Sequence, residues 1–397
     1  MERIYLDHNA TTPVRPEVLE AMLPYLTSQF GNASSIHSFG REARTAVEQA
    51  RLKLAAALGC EPAEVVFTGS GTEADNMALV GAAFALRERG NHIVTTRIEH
   101  HAVLHTVEYL VKYHGCQASY VGVDRQGLVD PDAVARAITD RTILVSVMHA
   151  NNETGAVQPL EQIGRICRDK GVPLHSDAVQ TFGKLPTDVG ALGLSLLSLS
   201  GHKIYAPKGV GALYVKKGTR LHPLVHGGAH ERNRRAGTEN VAGIVALAAA
   251  AELAARERDG ENGRIGALRD RLWEGIRAAV PGVHRNGHAG QCLAGTLNVS
   301  FDYIEGESIL LSLDLKGIAA SSGSACTSGS LEPSHVLLAM GMPVEQAHGS
   351  VRFSLGHGTT AEQIDRTVTA LTEAVARLRE MSPLAPPACG PDGKDAS

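Results

Sequence analysis

The chain has 397 residues, of which 43% are hydrophobic and 20% charged, and its formal net charge is −4. A chain of this length and composition can bury a large core, and its charge gives no reason to expect nucleic acid or an anionic membrane as a partner. No apolar run is long and uncharged enough to span a bilayer, and residues 1–7 lack the plan of a signal peptide, so we expect a cytoplasmic protein.

The cysteines and histidines form no pattern typical of a disulfide framework or a metal site. The six cysteines include no C-x-x-C pair and are widely spaced, at positions 60, 116, 167, 292, 326 and 389. In a reducing compartment such cysteines are free thiols. The 18 histidines form no closed ligand set of a familiar spacing, so the sequence predicts no resident metal site.

Short apolar runs alternate with helical patterns from residue 13 to about 255. The predicted strands are 65–68, 92–96, 118–121, 142–148, 173–176, 194–200 and 211–215, and predicted helices include 41–58, 73–89, 132–138 and 160–170. Several strands are apolar on successive residues, as expected when both faces are covered. This alternation predicts an α/β fold with a doubly wound, mostly parallel seven-stranded sheet.

The pattern changes after residue 240. A long helical region runs to about residue 280 with a predicted interruption at 260–263, followed by strands at 296–301 and 318–322 and helices at 308–315, 334–340 and 361–380. We therefore predict a large domain at 13–255 and a smaller α+β domain formed by 1–12 and 256–382. The tail at 383–397 is rich in Pro, Gly and Ala, which is typical of disorder.

Three elements together point to pyridoxal phosphate (PLP). Lys203 follows an apolar strand, where burial favours the neutral amine that forms an imine. Asp177 could hold a pyridine nitrogen protonated, and the turn that contains Gly71 and Thr72 could cradle a phosphate at a helix N-terminus. Each element alone has a structural explanation: a solvated lysine, a helix cap and a tight turn. Their order along the chain resembles that of the fold-type I, aspartate aminotransferase-like PLP enzymes.

The segment 321–333, SSGSACTSGSLEP, indicates sulfur chemistry. Ten of its thirteen residues are small or hydroxylated, which predicts an exposed, mobile loop with an accessible Cys326. In isolation this pattern also fits a linker with an incidental cysteine. With SGHK at 200–203 and RFSL at 352–355, however, the segment resembles the cysteine desulfurases of the NifS/IscS family, and matching motifs cover the chain to about residue 382. The long Cys326 loop is typical of group I, and residues 29–40 and 235–240 look closer to the NifS type.

The resemblance implies roles for individual residues. Lys203 matches the Schiff-base lysine, Cys326 the sulfur acceptor, and His100 an imidazole that stacks on the cofactor ring and serves as a base. The other implied cofactor contacts are Asp177 and Gln180 at the ring, Asn152 near the ring oxygen, Gly71, Thr72, Ser200 and His202 at the phosphate, and Thr238 at the phosphate of the second subunit. The implied substrate contacts are Asn32, Asn152 and Arg352, of which Arg352 suits a carboxylate.

The resemblance also implies an activity and partners. L-Cysteine becomes L-alanine, and its sulfur passes to Cys326 as a persulfide and then to an acceptor such as an iron–sulfur scaffold protein; a homodimer is expected. It leaves open that Cys326 ligates a transferred iron–sulfur cluster. The alternatives are a selenocysteine lyase, another class V aminotransferase-like PLP enzyme, and a non-catalytic scaffold of sulfur metabolism.

Overall fold

The computed structural model describes residues 3–322 and 332–383. The predicted loop at Cys326 and the tail beyond residue 383 lie outside the described residues. Within them, the strands are β1 (Ile4–Tyr5), β2 (Val65–Thr68), β3 (His92–Thr96), β4 (Gln117–Val121), β5 (Thr142–Ser146), β6 (Leu174–Asp177), β7 (Leu196–Ser200), β8 (Gly211–Val215), β9 (Val283–Asn286), β10 (Thr296–Phe301), β11 (Ile318–Ala319) and β12 (Ser350–Ser354). The helices are α1 (Pro16–Met22), α2 (Ser38–Leu58), α3 (Gly71–Ala85), α4 (His101–His114), α5 (Pro131–Ala137), α6 (Leu160–Asp169), α7 (Val241–Ala279), α8 (Gly306–Asp314), α9 (His335–Ala339), α10 (Val344–His348) and α11 (Ala361–Met381).

A seven-stranded sheet forms the centre of the larger core. Its strand order is β2-β8-β7-β6-β5-β3-β4, and β8 is the strand that runs antiparallel to its neighbours. Every residue of β2, β3, β5, β6, β7 and β8 is buried, because helices cover both faces. The predicted mostly parallel α/β fold is therefore confirmed.

The sheet topology places the predicted site residues along one edge. Strands β2, β3, β5, β6 and β7 all point the same way, so their carboxyl ends meet there. Asp177 ends β6, Ser200 ends β7, and the turn to Gly71 follows β2. His100 comes shortly after β3. Open α/β sheets bind their ligands at this edge.

A second apolar cluster is built from both chain ends. Ile4 and Leu6 pack with residues of β10, β12 and α11, and β1 pairs with β11. Strands β9, β10 and β12 form a separate antiparallel sheet. The assignment of these parts to two domains, with the boundary at 255, remains a prediction.

Helix α7 joins the two cores and corrects one prediction. It runs unbroken through Gly260 and Gly263, so the predicted interruption at 260–263 is wrong. Its first half packs in the larger core, and Leu272 and Ile276 pack in the second. Each glycine costs about 1 kcal/mol in a helix interior, and burial at both ends outweighs this cost.

No helix within residues 3–322 and 332–383 is long and apolar enough to cross a membrane.

Candidate active site

Asp177 lies at the centre of the sheet edge. The residue is 6% exposed, and its Oδ1 accepts a hydrogen bond of 2.8 Å from the Val179 N–H. Burial raises the pKa of this carboxyl, whereas the Val179 N–H and the nearby Lys203 favour the charged form. Gln180 is on the following turn, and its Nε2 donates to the Asn9 carbonyl at 3.0 Å.

Lys203 lies in a short 3₁₀ turn directly after β7. Its Nζ donates to the carbonyl oxygens of Asn9 and Ala10, at 2.5 and 2.7 Å. The neighbouring His202 is fixed to the same N-terminal segment, because its Nδ1 lies 3.1 Å from Thr11 Oγ1 and its carbonyl accepts from Thr12. Residues 9–12 thus hold the lysine turn against the sheet edge.

The turn before α3 packs against the segments that carry Asp177 and Lys203. A Cβ atom at Gly71 would lie 2.6 Å from Val179 Cγ2 and 3.2 Å from Ser200 Cβ, so only glycine fits there. Ser70 caps the helix by accepting from the Glu73 N–H at 3.0 Å. The first N–H groups of a helix have no intrahelical partner, so those of Gly71 and Thr72 suit an anion.

His100 is the N-cap residue of α4. Its Nδ1 accepts a hydrogen bond of 3.1 Å from the Ala102 N–H, so a neutral ring carries its proton on Nε2. Burial and the positive charge of Lys203 lower the pKa of His100 to about 4. The ring is therefore neutral at neutral pH, and its Nδ1 lone pair is engaged by the Ala102 N–H.

Arg352 enters the site from β12 and is only 2% exposed. Its Nη1 donates to the Asn152 carbonyl at 3.0 Å, and its Nη2 lies 2.8 Å from Asp7 Oδ1. Asn152 and Arg352, which are 200 positions apart, are thus in direct contact. The guanidinium is held in place before any substrate arrives.

Three predicted site residues are not part of this cluster. Asn32 and Thr238 are exposed, and among the described residues no hydrogen bond connects either side chain to Lys203 or Asp177. Cys326 lies outside the described residues.

A second carboxyl behind Asp177 was missed by the sequence reasoning. Asp75 on α3 is 1% exposed, and its Oδ1 is 3.6 Å from His175 Nε2. Burial, and then the charge of Asp177, raises the pKa of Asp75. The sequence signal that could have identified Asp75 is an acidic residue between Ala74 and Met77 on an otherwise apolar helix. Within the described residues, no group of three or more His, Cys, Asp or Glu side chains is arranged to hold a metal ion.

The site combines a buried acid, a lysine after the next strand and a glycine turn at a helix N-terminus. This combination is that of the fold-type I enzymes. Residues 4–367 match the family described as Aminotransferase class-V. The proteins named cysteine desulfurase IscS from Methanosarcina thermophila and Dictyoglomus turgidum are 54% and 52% identical to this chain. Each alignment covers 96% of this chain, and 94% and 96% of the respective relative.

A solved structure described as a NifS-like protein superposes with a TM-score of 0.89 at 39% identity, covering 95% of this chain and all of that one. The chain therefore belongs to the class V aminotransferase family and, within it, to the IscS/NifS-like cysteine desulfurases. Relatives with both names occur, so the expected closeness to the NifS type remains a prediction.

Proposed function

We propose that this protein is a PLP-dependent cysteine desulfurase that converts L-cysteine to L-alanine and receives the sulfur on Cys326. The observation that carries the proposal is the convergence of Lys203, Asp177 and Gly71 at one sheet edge, in a chain about half identical to proteins named cysteine desulfurase.

The residues present fit PLP. Because Gly71 packs directly on Val179 and Ser200, the first N–H groups of α3 lie beside Ser200 and would hold the cofactor phosphate, to which His202 would add a donor. Asp177 would offer a carboxylate to the ring nitrogen. The Gln180 side-chain oxygen is buried without a partner among the described residues, as expected of an atom that meets a bound molecule. When bound, PLP supplies an aldehyde that bonds to an amine and a ring that withdraws electrons from the substrate carbon.

Each residue of the site then has a separate role in the reaction. Lys203, once its amine is free, moves the proton from the substrate Cα, and Asp177 balances the charge on the ring nitrogen. Arg352 binds the substrate carboxylate with its preorganised fork of donors. His100 is the candidate base for a thiol, because only a thiolate is a good nucleophile, and this role requires its Nδ1 to leave the Ala102 N–H.

The sulfur transfer is balanced without an added oxidant. The Cys326 thiolate attacks the substrate sulfur, the Cβ–S bond breaks, and its electron pair remains on carbon and becomes a C–H bond of alanine. The products are L-alanine and a Cys326 persulfide. We propose that a sulfur-acceptor protein, such as an iron–sulfur scaffold, then removes the outer sulfur.

We further propose a cytoplasmic homodimer in which Thr238 reaches the partner's phosphate site. Exposed apolar side chains in the first forty residues support an interface, and they include Ile36, which is 90% exposed.

The test is product analysis with L-cysteine and a thiol reductant. Lys203→Ala should abolish both the visible absorbance band and alanine formation, whereas Cys326→Ala should keep the band and lose alanine and sulfide at least about tenfold. Cys292→Ala, which changes a partly exposed cysteine elsewhere, is the matched control. Full alanine and sulfide production by Cys326→Ala would refute the persulfide, and keto-acid products instead of alanine would indicate an aminotransferase.

A further inference from the structure

Arg352 already has a carboxylate partner, although the proposed function assigns this arginine to the carboxylate of the substrate. Asp7 Oδ1 lies 2.8 Å from Arg352 Nη2, and the Arg352 side chain is 2% exposed whereas that of Asp7 is 18% exposed. A carboxylate this close to a buried guanidinium offsets much of its positive charge. The proposed reaction gives Asp7 no role.

The backbone fixes Asp7 next to the strand that carries Arg352. Both chain neighbours of Asp7 are hydrogen-bonded to Ser354 at the end of β12. The Ser354 N–H donates to the Leu6 carbonyl at 2.8 Å, and the His8 N–H donates to the Ser354 carbonyl at 3.1 Å. The contact between the Asp7 and Arg352 side chains is therefore part of the fold.

The other terminal nitrogen of Arg352 is held as well. Its Nη1 donates to the Asn152 carbonyl at 3.0 Å, and Asn9 Nδ2 donates to the same oxygen at 3.2 Å. With one acceptor on each terminal nitrogen, the plane of the guanidinium is fixed. A guanidinium has five N–H donors, so it can bind a substrate carboxylate in addition to these two acceptors.

A substrate carboxylate bound to Arg352 would lie close to Asp7, because both would contact the same guanidinium. Two like charges this near each other repel, and the repulsion is strong where little water is present. The charge of Arg352 also acts on Glu153, but burial raises the pKa of Glu153, and Ser334 donates a hydrogen bond to it. Asp7 is therefore the acid that directly contacts the guanidinium and would repel an incoming carboxylate.

We infer that Asp7 is a positioning and specificity residue, which orients Arg352 and, as a resident anion, weakens the binding of any free carboxylate to it. A carboxylate without an amine then binds poorly, whereas L-cysteine has its amine as a second point of attachment. The inference rests on the proposed function, in which Arg352 binds the substrate carboxylate.

The test measures carboxylate binding without turnover. Propionate has the carboxylate of the substrate but neither its amine nor its thiol, and its dissociation constant for the full-length holoenzyme is obtained from ligand-observed NMR titrations. Asp7→Asn keeps an oxygen that can accept from Nη2 and removes the charge, so it should bind propionate about tenfold more tightly. Asp7→Glu keeps the charge and should not tighten binding. In turnover, Asp7→Asn should lower the KM for L-cysteine and leave kcat unchanged, as expected when repulsion common to bound substrate and transition state is removed.

Controls separate the charge of Asp7 from its position in the fold. Asp169→Asn removes the same charge from an exposed position at the end of α6 and should leave propionate binding unchanged. The double variant Asp7→Asn, Arg352→Gln should lose the gain.

Unchanged or weaker propionate binding by Asp7→Asn would overturn the inference, and so would an equal gain in Asp7→Glu. A gain that persists in the double variant would also contradict it, because the carboxylate would then bind somewhere other than Arg352. Failure of the proposed function would appear separately, as a visible band that survives Lys203→Ala or as L-cysteine that yields no alanine.

Discussion

Buried carboxyl groups surround the base of the candidate site. Asp75, Glu99 and Asp177 all have a raised pKa, with burial as the largest cause. Asp75 lies behind Asp177, and the charge of Asp177 is the second cause that raises the pKa of Asp75. Burial therefore disfavours the charged form of each of these carboxyl groups.

Glu99 permits a test of this burial cost. Its Oε1 accepts from Thr96 Oγ1 at 2.7 Å and from the Met148 N–H at 2.9 Å, whereas its Oε2 has no partner among the described residues. Burial raises its pKa from 4.5 to about 8. The folded state thus binds more protons than the unfolded state in this window, so the wild type loses stability as pH rises from 4.5 to about 8.

We expect Glu99→Gln to remove this loss, because glutamine keeps the accepting oxygen and carries no charge. At pH 7 the variant should gain up to roughly 3 kcal/mol in free energy of unfolding, with little gain below pH 4.5. Urea denaturation across this pH range is the measurement. Glu88→Gln, at an exposed position, is the control, and a gain that does not depend on pH would contradict the explanation.

The sequence predicted which residues come together at the candidate site but not what surrounds them. Asp177, Lys203 and the Gly71 turn were identified because their order along the chain is characteristic. Asp75 was not, because its significance comes from its position beside His175 and Asp177, which lie about 100 residues further along the chain. Sequence spacing carries no information about such contacts between distant segments.

At the scale of elements, two acidic residues attach the segment that leads to Thr238 to β2 and to the turn before α3. Glu231, Arg232 and Asn233 have φ values of 47°, 57° and 63°, which are strained for residues other than glycine. The Glu231 carboxylate accepts from Nη1 and Nη2 of Arg51, each at 2.8 Å, and from the Phe67 N–H at 2.9 Å. This ion pair holds the strained turn against β2.

A second ion pair joins Arg235 to Glu73, which lies two residues after Gly71. Arg235 Nε donates to Glu73 Oε1 at 2.7 Å, and Glu73 Oε2 accepts from the Gly69 N–H at the same distance. The segment 230–238 is therefore connected to both the strand and the turn that present Gly71 and Thr72.

Arg51→Met should be severely destabilising. The change leaves Glu231 charged, buried and without its bidentate partner, and losing one member of a buried pair costs about 3–5 kcal/mol. Chemical denaturation measures this loss in the free energy of unfolding. Glu48→Gln removes the exposed partner of the same arginine and should cost less than about 1 kcal/mol. If the two variants lost similar free energies of unfolding, the buried Arg51–Glu231 pair would contribute no more to stability than the exposed Arg51–Glu48 pair.

Elements were predicted more reliably than their boundaries. The seven sheet strands were found within two residues at every end. Six of them are buried on both faces, whereas β4 is partly exposed and does not form a continuous apolar run. The break predicted in α7 was wrong because local helix propensity at Gly260 and Gly263 is weaker than the packing of the whole helix. Propensity is a local quantity, and the length of α7 is set by two cores.

At the scale of the whole molecule, several large apolar side chains near the N-terminal end are exposed. Leu23, Leu26, Phe30 and Ile36 are 50%, 58%, 68% and 90% exposed and lie within fourteen residues of one another. Contiguous exposed apolar surface is typical of interfaces, and these side chains are the ones we expect to be covered in the proposed dimer. Thr238 is exposed as well, which agrees with a role in a partner's site.

A hybrid dimer tests whether Thr238 acts across an interface. Homodimeric Thr238→Val should bind PLP about tenfold more weakly, because one hydrogen bond to a charged phosphate is lost. A heterodimer of one Lys203→Ala chain and one Thr238→Val chain, isolated with two affinity tags, keeps one intact lysine. If Thr238 serves the partner, that lysine receives a native threonine from the other chain and binds PLP as the wild type does.

The reciprocal hybrid is the matched control. A chain carrying both Lys203→Ala and Thr238→Val, paired with a wild-type chain, also keeps one lysine, but its partner now supplies valine. Binding in this hybrid should fall to the level of homodimeric Thr238→Val. If Thr238 acted within its own subunit, the two hybrids would exchange behaviours, since the intact lysine would then share a chain with valine in the first and with threonine in the second. A chain that sediments only as a monomer while turning over cysteine would contradict the dimer itself.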